Sequence, residues 1–120
     1  MRYSQLSDFE INKRVAIATG QNIKFIFLDD DDNEIGVLVG RKGCREKKDF
    51  DPCNNPADAL PIIASCNISL HAPRYKDGWM AEFTGSDEEV NDGFDVDYFE
   101  SHHVNPLRAA MIVFLMMQEK

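Results

Sequence analysis

Asn105-Pro106-Leu107-Arg108-Ala109-Ala110-Met111-Ile112-Val113-Phe114-Leu115-Met116-Met117 is the stretch on which the fold turns. Asparagine caps a helix and proline fits its first position, so the spacing predicts a helix opening at Asn105. From Leu107 to Met117 only Arg108 interrupts eleven residues of apolar sequence. A helix apolar around its whole circumference is buried on every side. The nine-residue run Ala109 to Met117 is about half of the ~18 residues that suggest a membrane span. It reads as a core helix, with residues 107–117 also expected to meet a second copy of the chain in a homo-oligomer.

The 120 residues fit one domain, 1–120, and a 43% hydrophobic content is enough to close a core. With 13 Lys+Arg against 21 Asp+Glu, the formal net charge is -8. That balance excludes a protein that coats DNA, because such binding rests on neutralising phosphates with basic side chains. Cys44, Cys53 and Cys66 are an odd number with no C-x-x-C pair, and no apolar leader precedes them. They read as reduced thiols in a protein of the cytoplasm, with no membrane association.

Moving back from the last helix, Ser7-Asp8-Phe9-Glu10 is a capping box that starts a helix from Asp8 to about Thr19, stopped by Gly20. Ile23–Leu28 and Ile35–Val39 read as a hairpin around the acidic turn 29–34. Gly40–Asp51 reads as an exposed basic loop carrying Arg41, Lys42, Arg45, Lys47 and Lys48. Asn55-Pro56-Ala57-Asp58 starts a helix to about Ser65, with Pro61 inside it. Ile68–His71 and Trp79–Phe83 alternate as a second hairpin. Thr84 to His103 carries seven acids and no Lys or Arg, which reads as a long acidic loop. The order helix-hairpin-helix-hairpin-helix predicts an α+β fold: an antiparallel sheet of about four strands with helices packed against it, α/β/α sandwich-like.

Two helix starts share one design, Asn55-Pro56-Ala57-Asp58 and Asn105-Pro106-Leu107-Arg108, and differ in the charge at the third helical position. The helix dipole disfavours Arg108 there, so Arg108 needs a partner. Either a residue of the acidic loop or a neighbouring subunit supplies it, or an anion does. Helix amides plus a guanidinium suit phosphate, with His103 just upstream. Trp79 and Tyr75 are candidates to stack on a base, although Trp79 shares a strand face with Phe83, which favours the core. Arg74 beside Tyr75 could meet a phosphate. The ligand-binding candidates are therefore Arg108, Asn105, His103, Trp79, Tyr75 and Arg74. No spacing supports a metal site, a cofactor or a nucleophilic pair, so no catalytic residue is assigned.

Tyr3–Ala16, Asp51–Ile63 and Asn105–Glu119 together resemble the NinX family of small lambdoid-phage proteins, over nearly the whole chain. This resemblance implies a phage origin and carries no activity. In layout the chain is also similar to phage ABA-sandwich proteins, through Trp79-Met80-Ala81-Glu82-Phe83 and Arg108-Ala109-Ala110. That similarity implies sequestration of a host immune-signalling nucleotide, with Arg108 holding phosphate. The expectation is a non-catalytic counter-defence protein of the host bacterial cytoplasm that binds a small phosphorylated ligand. The alternative is an acidic protein-binding inhibitor of a host nucleic-acid-binding or defence protein, acting through Asp87–Glu100.

Overall fold

Helix α1 (Asp8–Ala18) opens as the capping box dictates: the Ser7 hydroxyl accepts from the Glu10 amide. The computed structural model describes residues 2–41, 43–73, 78–84 and 98–119. A short 3-10 turn, Tyr3–Gln5, precedes α1, and strands β1 (Ile23–Leu28) and β2 (Glu34–Val39) follow as the expected antiparallel hairpin. Helix α2 runs Pro56–Ser65 with Asn55 as its cap, and α3 runs Pro106–Gln118 with Asn105 as its cap.

The α+β class holds, but the strands form two sheets rather than one of about four. In the first sheet, β3 (Lys48–Asp49) pairs with β2, giving the order β1-β2-β3. In the second, β4 (Ser69–His71), β5 (Trp79–Thr84) and β6 (Tyr98–His103) lie in sequence order, antiparallel throughout. Two stretches read as loop are thus partly strand. The basic loop ends in β3 because Phe50, 4% exposed, buries itself and its amide donates to the Val37 carbonyl at 2.9 Å. The acidic stretch ends in β6, where Phe99 faces inward and stacks on Phe83 with centroids 6.3 Å apart. Residues 85–97, and with them most of the acidic stretch, lie outside the described residues.

Helix α3 is the centre of the molecule. It packs on the inner face of the second sheet and against α1 and α2, while α1 in turn packs on β2. The helices therefore join the two sheets, in place of helices flanking one. Arg108 through Leu115 are all buried, and Leu107, Met116 and Met117 pack against the same core at half burial. The chain's own elements cover α3, which accounts for its all-round apolarity. No helix among the described residues is long and apolar enough to cross a membrane.

Met111 has no exposed surface at the middle of α3. Met111→Ala is expected to lower stability by roughly 2–5 kcal/mol, the cost of lost burial plus the cavity left behind. Urea unfolding followed by circular dichroism measures it.

Candidate functional site

The three stretches Ser7–Asn12, Asp51–Asp58 and Asn105–Arg108 meet where the N-terminal ends of all three helices converge. Each Asn cap works as its position predicts. Asn55 Oδ1 accepts from the Ala57 amide at 3.0 Å, and Asn105 Oδ1 accepts from the Leu107 and Arg108 amides at 3.0 and 3.4 Å. The two charges at the third helical position then act in opposite directions. Asp58 folds back to accept from the Asp51 amide at 3.0 Å, whereas Arg108 reaches across to α1.

Arg108 is 7% exposed. Its Nη1 donates to Asp8 Oδ1 at 2.5 Å, and its Nη2 donates to the Leu6 and Ser4 carbonyls at 2.6 and 3.3 Å. Nε has no partner among the described residues. The partner that the helix dipole demanded is thus Asp8, in the capping box at the other end of the chain. Around this pair Asn12 Nδ2 donates to Asp51 Oδ1 at 2.7 Å and Asn12 Oδ1 accepts from the Cys53 amide at 3.0 Å. Asn54 Nδ2 reaches both Asp8 and Asp51, and Asn105 Nδ2 donates to the Cys53 carbonyl at 2.6 Å. Sequence reading passed over Asp8, Asn12, Asp51 and Asn54; the signal was the run of short polar residues flanking each helix start.

The other predicted site residues are spread apart in role. Asn105 is consumed by its cap and by the Cys53 and Asn54 links. His103 Nδ1 accepts from the Asn105 amide at 2.9 Å, which holds the turn from β6 into α3. Trp79 pairs with His103 across β5 and β6 and is half-buried. Arg74 and Tyr75 lie outside the described residues. Asn105, His103 and Arg108 therefore come together as a structural joint whose hydrogen-bonding groups largely face one another.

The described surface has a separate basic groove of about 550 Å³ between Gly20–Asn22 and Val39–Lys48. Arg41, Lys47 and Lys48 line it together with Glu46. Its floor is tight, because a Cβ on Gly40 would collide with the Glu46 carbonyl oxygen. Lys24 Nζ donates to the Cys44 carbonyl and fixes the loop, and Lys47 Nζ lies 5.8 Å from the Phe25 ring centroid. Lys48 Nζ is 3.7 Å from Asp58, while Arg41 has no hydrogen-bond or ion-pair partner among the described residues. A volume in this range holds a nucleotide-sized molecule.

The three cysteines are free thiols. Burial, with the Asp8 charge adding and the Arg108 charge opposing, pushes the Cys53 thiol from its ordinary 9.0 up to about 12. Among the described residues no group of three or more His, Cys, Asp or Glu side chains is placed to hold a metal ion.

What the joint and the two sheets define is an α+β protein whose helix starts are locked by asparagine caps and by one ion pair between a buried arginine and a half-exposed aspartate. The chain matches the family described as "Bacteriophage P22, NinX" over residues 2–118, and it belongs to that family. No curated protein and no solved structure matches it.

Asp8→Ala and Arg108→Ala are each expected to cost about 3 kcal/mol, the first by leaving the buried Arg108 charge unpaired and the second by emptying the space the buried arginine fills, and the double variant is expected to cost well under the sum. Urea denaturation of the three variants checks the coupling. In alkali the unfolded Cys53 thiol ionises near 9 while the folded one stays protonated. Its share of stability is therefore intact below pH 9 and is lost between about 9 and 12. The difference in urea midpoint between wild type and Cys53→Ala, followed across that window, shows the loss. A thiol reagent should modify Cys53 only as fast as the protein unfolds.

Proposed function

We propose that the protein is a non-catalytic phage accessory protein that binds a small phosphorylated ligand of nucleotide type in the Arg41–Lys48 groove. On this reading it acts in the host cytoplasm as a counter-defence protein, withholding an immune signal. The observation that carries the reading is the groove itself: three basic side chains around a nucleotide-sized hollow, on a chain of net charge -8. Guanidinium and ammonium groups recognise phosphate by charge and by hydrogen bonds. The start of α3 lends no support to the reading, since Arg108 and Asn105 are engaged within the fold. Tight binding without turnover suffices to lower a free signal.

The test is a thermal-shift screen of the purified protein against adenine and cyclic nucleotides, followed by mass spectrometry of any ligand released on denaturation. An intact nucleotide that raises Tm is the expected result. Arg41→Ala combined with Lys47→Ala should weaken binding at least tenfold with Tm of the free protein unchanged. Absence of both a shift and a released ligand overturns the reading in favour of the acidic protein-binding inhibitor. A chemically altered nucleotide overturns it in favour of a small hydrolase.

A further inference from the structure

A second cavity, of about 340 Å³, opens between the first turn of α1, the start of β2 and the Asp49–Asn54 segment. Its walls are of two kinds. The half-buried ring of Phe27 supplies aromatic surface, to which the core residues Phe9 and Phe50 add little, being 8% and 4% exposed, and Asp8, Asp49 and Asp51 supply carboxylates. No Lys, Arg or His among the described residues lines it. Phe27 lies over Gly36, so closely that a Cβ there would strike the ring, and it is a half-buried aromatic not packed into the core. A β-bulge at Ile35, where Phe27 pairs with Gly36 but Leu28 pairs with Glu34, bends β2 beside the opening. Ile35 itself stays 51% exposed at the mouth.

Two of the three carboxylates are held in place. Asp8 is oriented by Arg108 at 2.5 Å and by Asn54 at 3.2 Å, and Asp51 by Asn12 at 2.7 Å. These bonds leave further lone pairs on the carboxylate oxygens, while Asp49 has no side-chain hydrogen bond among the described residues. Among the described residues the cation in contact with the set is Arg108, already committed to Asp8. A planar cation that donates along its edges and stacks on its faces satisfies both kinds of wall at once.

We infer that this cavity binds a guanidinium group. The inference is independent of the phosphate groove and uses none of its residues. Two sources carry that group, a free alkylguanidine and an arginine side chain in a peptide, and they share the chemistry that the cavity recognises.

The probes are agmatine and the capped tripeptide acetyl-Gly-Arg-Gly-amide, titrated into the full chain by calorimetry, with butylamine and acetyl-Gly-Lys-Gly-amide as ammonium counterparts. Binding of at least one guanidine probe, tenfold or more tighter than its ammonium counterpart, is the expected result. The tighter of the two identifies the source as a small molecule or a protein segment. Asp49→Asn and Phe27→Leu, both outside the polar joint and the core, should each weaken that binding at least fivefold with Tm unchanged. The inference is overturned if neither guanidine probe binds, if the ammonium probes bind equally well, or if binding survives both substitutions.

Discussion

A guanidinium buried at the start of the central helix constrains everything else. The dipole of α3 disfavours a positive charge at its third position, and water does not reach Arg108 to relieve it. The offset comes from the first residues of the chain: the Asp8 carboxylate and the Ser4 and Leu6 carbonyls take the two ends of the guanidinium fork. Residues a hundred positions apart are thereby clamped together. With Asp8 fixed, Asn54 is fixed, and Asn105 and Asn12 then hold both backbone groups of Cys53. The start of each helix is set by the other two.

Much of this architecture was legible where a side chain answers to its near neighbours. The Ser7 box, the Asn-Pro starts and the first hairpin are local arrangements, and the helices and hairpin strands fall close to where capping and alternation place them. The division into two sheets was not legible, because it depends on pairings over longer distances. Tyr98-Phe99-Glu100-Ser101-His102-His103 reads as polar, yet in β6 its outward residues form a hydrogen-bonded belt. The Tyr98 hydroxyl shares its one hydrogen between Glu82 and Glu100, and His71 meets Glu82 at 3.0 Å, a bond that with Tyr98 holds the Glu82 carboxyl below its usual range. The need of Arg108 for a partner was legible; its identity was not, since Asp8 lies a hundred residues upstream.

The same distinction bears on where function resides. The three stretches that mark the chain as NinX-like coincide with the joint of the helix starts. Those residues hydrogen-bond chiefly to one another, so they are an architectural signature. The acidic cavity opens onto this joint, being lined by Asp8, Asn12, Asp51 and Asn54, while the groove uses none of its residues. Neighbouring residues of β3 line the two hollows, Lys48 the basic groove and Asp49 the acidic cavity.

The position of α3 in the chain also orders the birth of the fold. Every strand and helix that it packs against precedes it in sequence, so the second sheet cannot bury its inner face until α3 has been synthesised, whereas the first sheet already has α1 to pack on β2. The second sheet must wait half-covered, and contacts of long sequence separation form late and slowly. Arrival of α3 is therefore a late event in assembly, one that closes the second sheet and joins Arg108 to the first turn of α1.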